Sequence, residues 1–365
     1  MHDTPLYPFE KGIKGYHDFW GYCGQALPPA VACLKTALPR YPPDRFGGTR
    51  LIGLDYDVYE IHFNIIPTIT KYKWTDPSIE IGYEILASIC KSIYNSFHLF
   101  LIFFTALTIT LMFWLCYKYS PYPLLSFFMF FSYSFFPQVM GQMRQPLAII
   151  LAFIISIPLF LKSKKTLSCI ALIFIAFLFH KSILFLIPFI IVSDKILSNK
   201  TIVILSTIAI ACYTLSNLVS QFLISLIPSN FYLHDAVIAY LTYKSMAVTF
   251  SMGMLERIAM VTILFYYSHK YGLYQSKQQL RLFINMYFIG VCLYFAFIST
   301  SAEFASRGTQ AFTYALFFAL PTILKHVSLK DKYTILSIIC AWGIYLSLGI
   351  LDDASYYIPY KSILF

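Results

Sequence analysis

A chain of 365 residues in which 58% are hydrophobic, 19% aromatic and only 12% charged falls far short of the roughly 25% charge of soluble domains. It is read as an all-α polytopic membrane protein. Its net charge of +10 comes from Lys and Arg scattered over short loops with no basic stripe. That argues against a nucleic-acid partner and for topology determinants and attraction to anionic membrane lipids.

In chain order, Met1–Gly48 holds no apolar span, and two prolines interrupt its best run, Ala26–Leu34. It has no signal-peptide pattern, and its Pro, Gly, Tyr and Trp follow no period. Residues 1–48 are expected to be a disordered or non-native opening; a surface segment and an inverted topology are the alternatives. Residues 49–96 form an outer-face loop or amphipathic region. Residues 97–351 form the transmembrane helical domain, with an outer loop at 219–250, and 352–365 an outer tail.

Ten apolar segments lie near Phe97–Tyr117, Tyr122–Val139, Gln145–Leu161, Leu167–Phe179, Ser182–Val192, Ile202–Leu218, Gly253–Ser268, Leu282–Thr300, Thr309–Leu324 and Tyr333–Leu351. Leu167–Phe179 and Ser182–Val192 are short for a span. They read as half-helices meeting at a break or as a tilted pair. The eight Cys form no CxxC and mostly fall inside apolar runs, so they pack as small hydrophobes rather than as a zinc site or disulfide framework.

Charge sets the expected sidedness. One set of alternate loops holds 12 cations: Lys118, Lys162, Lys164, Lys165, Lys195, Lys200, Lys270, Lys277, Arg281, Lys325, Lys330 and Lys332. The other holds 5, Arg144, Lys181, Lys244, Arg307 and Lys361. The richer set belongs in the cytoplasm. The outer face then carries few charges, and each becomes a candidate site residue once snorkelling at a helix end is weighed against it.

Arg144 and His180 stand out among them. They flank two apolar runs joined by a small basic turn, and a helix rises about 1.5 Å per residue. One run goes across the bilayer and the other returns, so the pair meets at one face. Polar groups kept at such a mouth are a default functional hypothesis.

Several motifs share an order. Arg50, Gly53, Asp55 and Tyr59 come first, then Glu80-Ile81-Gly82-Tyr83-Glu84 and Arg144-Gln145-Pro146-Leu147-Ala148. His180-Lys181-Ser182, Glu256-Arg257, Arg307 and Ile358-Pro359-Tyr360-Lys361 follow. From Arg50 to the C-terminus this order resembles the EpsG/Wzy family of bacterial polysaccharide polymerases. The chain departs from it in lacking an opening transmembrane helix and in reading Arg307-Gly308-Thr309 where Arg-Leu-x-x-Tyr is the pattern.

The resemblance implies a GT-C-like membrane glycosyltransferase in the bacterial inner membrane, with its site on the periplasmic or exterior side. It would transfer a growing glycan from one undecaprenyl pyrophosphate carrier to a newly arrived lipid-linked oligosaccharide repeat. The product would be O antigen or a related surface polysaccharide, with a flippase and a chain-length regulator as pathway partners. No cofactor or metal is expected. Asp55-Tyr56-Asp57 is formally an Asp-x-Asp nucleotide-metal motif, but no nucleotide donor belongs on that face.

The residue chemistry fits. A pyrophosphate leaving group needs its charge neutralised, and Arg supplies planar, permanently charged donors. Arg144 at a helix start adds the backbone N–H groups and dipole; Arg307 and Arg50 are further clamps. His180 has the pKa range of a base for the acceptor hydroxyl, with Asp55 and Glu303 as alternatives. Tyr56, Tyr59, Gln145 and Glu303 are assigned to the glycan, with belt packing the plainer role for the tyrosines. Glu256-Arg257 reads as an internal ion pair, and Lys361 as a headgroup contact. A lipid-linked oligosaccharide flippase is the rival from another class; it should show internal repeats, which are absent. An O-antigen ligase would use the same chemistry with another acceptor.

Overall fold

The computed structural model describes residues 55–74, 79–162, 173–187, 189, 195–228, 238 and 251–352. Residues 1–48, Arg50, nearly all of 229–250 and the tail beyond Asp352, with the expectations placed on them, lie outside the described residues. Among the described residues every element is helical and none is a strand.

Two short helices precede the membrane domain. α1 (Tyr56–Ile65) buries Tyr56, Tyr59 and Phe63, one helical face. Pro67 follows its end, as a residue that resists helix continuation. After a 3₁₀ turn at Ile69–Lys71 comes α2 (Ile81–Ile93). Lys91 Nζ donates to the carbonyls of Phe63 and Asn64, both at 2.8 Å, and so satisfies the open end of α1. At 10 and 13 residues, these helices are about 15 and 20 Å long, too short for a bilayer core of about 30 Å.

α3 (Phe97–Tyr119) runs 23 residues behind a Ser96 N-cap. α4 (Pro123–Phe130) starts with Pro at its first position and continues as a π-helical stretch, Phe131–Gly141, around Pro137. Proline lacks an N–H and crowds the carbonyl four residues back, and the wider π turn accommodates both defects. α5 (Arg144–Lys162) follows. The 173–177 helix, a break at His180 and a 3₁₀ helix, Lys181–Leu186, come next. α6 (Asn199–Thr214) and α7 (Ser216–Ser225) meet at 90°. α8 (Met252–Lys270) leads through Gly272, whose φ of 63° suits glycine, into α9 (Leu273–Ser276). α10 (Gln278–Ile298), α11 (Ala302–Thr313), α12 (Leu316–His326) and α13 (Leu329–Asp352) complete the domain.

Among the described residues four helical stretches are long and apolar enough to cross a membrane: α3, α4 with its π extension, α10 and most of α13. The bent α6–α7 pair makes five if it is one span. The molecule is therefore a helical membrane protein with four or five such spans among the described residues; of the ten apolar segments of the sequence, Leu167–Phe179 and Ser182–Val192 lie partly outside them. The differences are local. α5 carries Pro158 within its apolar run. Ser182–Val192 begins as a 3₁₀ helix. The Thr309–Leu324 run is divided between α11 and α12.

α12 is the centre of the core, with Tyr314 to Leu320 fully buried among α4, α8, α10 and α13. Gly290 on α10 admits α11, since a Cβ there would lie 2.2 Å from Phe312 Cβ. Ile204, Ile208, Leu218 and Phe222 of α6–α7 and Ile344 and Leu348 of α13 are exposed, as lipid-facing surfaces require. Lys270, Lys195, Asp331 and Tyr119 gather at one end of the bundle through contacts between helix ends. The start of α3, α1, α2 and the start of α5 form the other end.

Candidate functional site

The site forms where α2 docks on the break before the 3₁₀ helix. Gly82 N donates to Leu178 O at 2.7 Å. A Cβ at position 82 would lie 2.6 Å from that oxygen, so only glycine permits the approach. It sets the buried Glu80 beside His180 and Lys181. Glu80 Oε1 accepts from Lys181 N at 3.3 Å, and Oε2 pairs with Arg144 Nη1. Arg144 Nε donates to Tyr59 OH at 3.4 Å, and the guanidinium lies over the Tyr59 and Tyr83 rings, 5.5 and 5.7 Å from their centroids. A carboxylate and two aromatic faces therefore fix the arginine.

A second set of contacts ties α5, the 3₁₀ helix and α11 together. Gln145 Nε2 donates to Ser182 Oγ at 3.0 Å and to the Arg307 carbonyl at 2.6 Å. His180 caps the 3₁₀ helix, its Nδ1 accepting from Ser182 N at 3.2 Å. On α11, Arg307 Nη2 meets Glu303 Oε1 at 2.7 Å, one helical turn away. Gly308 lets α11 pack on the 3₁₀ helix, since a Cβ there would meet the Phe185 ring at 2.9 Å. The departure from the family pattern at Arg307-Gly308-Thr309 thus has a packing cause.

Burial raises the Asp55 carboxyl, while Arg307 and then Arg144 pull it back; the raised value prevails. Burial acts the same way on Glu80, but Arg144, His180 and Lys181 outweigh it and hold this carboxyl below the ordinary range. Burial pushes the His180 imidazole down to about 3, with Glu80 opposing and Arg144, Arg307 and Lys181 reinforcing the fall.

Asp55 and His180 thus each come within electrostatic reach of Arg144 and Arg307, and Tyr59, Gln145 and Glu303 touch members of the group. Gln145 is buried and engaged with the protein's own groups. Tyr56 packs edge-on to Phe97, its hydroxyl 3.4 Å from His98 Nε2. Arg50 lies outside the described residues. Asp57 is exposed on α1 while Asp55 is partly buried, and the described residues hold no cluster of three or more His, Cys, Asp or Glu for a metal. Glu256 and Arg257 form no ion pair with each other: Glu256 Oε1 takes the Trp342 Nε1–H at 2.7 Å, and Arg257 lies 3.8 Å over the Tyr294 ring.

Sequence reasoning did not include Glu80, Tyr83 or Ser182 among the site residues. Glu80 was within reach as the opening carboxylate of the Glu80-Ile81-Gly82-Tyr83-Glu84 motif. Ser182 belongs to the His180-Lys181-Ser182 motif, but its backbone N–H and hydroxyl act only through His180 and Gln145, which the sequence does not bring together.

Two guanidinium groups, the N-terminus of α5 and an imidazole gather at one end of a helical membrane bundle, a set of groups whose chemistry suits an anion. The chain belongs to the EpsG family, whose model matches residues 46–362, nearly its whole length. No curated protein and no solved structure matches it.

Proposed function

We propose that this protein is a membrane glycosyltransferase of polysaccharide-polymerase type, GT-C-like in build. It joins undecaprenyl-pyrophosphate-linked oligosaccharide repeats into O antigen or a related surface polysaccharide at the outer face of the bacterial inner membrane. The observation that carries this reading is the Arg144–Glu80 pair beside His180, tied to Arg307 through Gln145 and with Asp55 in reach of both arginines, in a chain of the EpsG family.

Arg144 and Arg307 hold the pyrophosphate of the donor. Their charge counts most as the glycosidic bond breaks and negative charge builds on the departing phosphate oxygen. Asp55 and His180 face the acceptor hydroxyl and the leaving group. The lipid tail runs along the exposed apolar helices. A flippase supplies the repeats, and a chain-length regulator sets when the product is released.

Purified protein in liposomes, given undecaprenyl-pyrophosphate-linked repeats, should build a ladder of glycan on lipid. Cells carrying Arg144→Ala should keep the protein in the membrane and make glycan of a single repeat. Normal chain lengths would refute the reading, and accumulation of the lipid-linked repeat on the inner face would indicate a flippase instead. Reporter fusions at Lys164 and Arg307 should report inside and outside respectively.

A further inference from the structure

His180 and Asp55 both stand near Arg144 and Arg307, and their hydrogen bonds separate their roles. The backbone N–H of Ser182 can only donate, and it points at His180 Nδ1 from 3.2 Å. Ser182 Oγ lies 2.8 Å from the same nitrogen. That oxygen already accepts from Gln145 Nε2, so its proton is directed at Nδ1. The Gln145 amide is itself oriented by the Arg307 carbonyl, which only accepts. Two donors converge on Nδ1, and a neutral imidazole whose Nδ1 is an acceptor carries its proton on Nε2. A second proton at Nδ1 would set N–H against N–H. Arg144, Arg307 and Lys181 oppose that added charge, and only Glu80 favours it. Nε2 makes no hydrogen bond to the described residues.

Asp55 shows the opposite pattern. It occupies the N-cap of α1, where an aspartate ordinarily accepts an N–H of the first turn. Here its side chain makes no such bond, nor any hydrogen bond among the described residues. The charges around it are Arg307 and Arg144, with the Tyr59 hydroxyl also near.

Resting on the glycosyl-transfer reading, we propose that His180 is a hydrogen-bond donor locked in the Nε2–H tautomer and that Asp55 is the base. The acceptor oxygen attacks the anomeric carbon of the donor as its proton passes to the Asp55 carboxylate. The bond from that carbon to the phosphate oxygen breaks, and its electron pair leaves on undecaprenyl pyrophosphate. His180 keeps its proton and donates a hydrogen bond from Nε2 to that oxygen.

Two experiments test the proposal. In the full protein in bilayers, labelled with ¹⁵N-histidine, the resonances missing from His180→Gln identify His180. They should report the Nε2–H tautomer from pH 7.5 to pH 5. A Nδ1–H tautomer or an imidazolium in that range overturns the proposal whatever reaction the protein catalyses. In the liposome assay, His180→Gln, which restores an N–H donor, should retain activity within about tenfold, and His180→Phe should lose about 10²–10³-fold. Asp55→Asn should lose about 10²–10⁴-fold and the acid limb of the pH profile with it. Loss of that limb in His180→Gln and its survival in Asp55→Asn would make His180 the base. Absence of polymer from the wild-type protein would remove the glycosyl-transfer reading and leave the tautomer result standing.

Discussion

The two ends of the bundle both carry charge and handle it differently. At the Lys270 end the polar groups close helix to helix. Lys270 and Tyr271 share Asp331 Oδ2, Tyr274 donates to Asn285 at 2.7 Å, and Gln279 donates to the Tyr119 carbonyl at 2.8 Å. Lys270 is exposed there, although Asp331 is as buried as Glu80, and an ion pair with one partner in solvent contributes little. At the Arg144 end Glu80 is buried with only 8% of its surface exposed. Three segments distant in sequence hold the arginine and histidine in place, while Asp55 and His180 Nε2 keep hydrogen-bonding capacity directed at no described residue. The Lys270 end uses its polar groups on itself; the Arg144 end keeps donor and acceptor capacity in hand, as the proposed site requires.

The largest expected effect separates the ends directly. Arg144→Ala removes the partner of a buried carboxylate, a loss of about 3–5 kcal/mol where no water replaces it. It should also lower polymerisation about 10²–10³-fold. Thermal unfolding in detergent and glycan length on gels measure the two; a variant with wild-type values in both would erase the contrast between the ends.

Gly82→Ala comes next. Its new methyl meets a backbone oxygen, so the α2 turn must shift, at about 1–3 kcal/mol. Displacement of Glu80 should shorten the glycan as well. Gly349→Ala, with open space around it, is the matched control and should be no less stable than wild type.

Acid titration probes Glu80 itself. Its carboxyl is lowered in the folded protein, so its stabilisation is complete above the ordinary value of 4.5 and is lost as pH falls through the lower folded value. The difference in melting temperature between wild type and Glu80→Gln should therefore be constant near neutrality and close on acidification below pH 4.5. A difference that widened in acid would mean that the carboxylate is not paired as described. The smallest effect belongs to the other end: Lys270→Ala should leave glycan length unchanged.

Part of this architecture was legible in the residues. The termini of α3, α10 and α13 fall within a few residues of their apolar runs, because each run is long, nearly uncharged and bounded by polar residues. The breaks were not. α6 and α7 part at Leu215 and α11 and α12 at Tyr314–Ala315, with no Gly or Pro at either place. Pro137, the apparent breaker inside its run, widens the helix without ending it. The complete burial of Tyr314 to Leu320 was equally hidden, because a residue facing lipid and one facing core are alike apolar. At the site, Arg144 and His180 were found as costly polar groups in an apolar stretch. The role of Glu80 is not legible in its motif, since it depends on a partner 64 residues away.

By itself the sequence determined that this protein is helical and lives in a membrane, where its long apolar stretches lie, which family it resembles, and that a few charges stand where charge is scarce. Those are properties of composition and short-range order, and hydration energies act on them segment by segment. Only the tertiary structure decided which charges meet. Gly82 against Leu178, Glu80 between Arg144 and Lys181, and Gln145 under Arg307 join segments up to 162 residues apart. Packing and hydrogen-bond direction choose those partners, and they set the side of His180 that holds its proton.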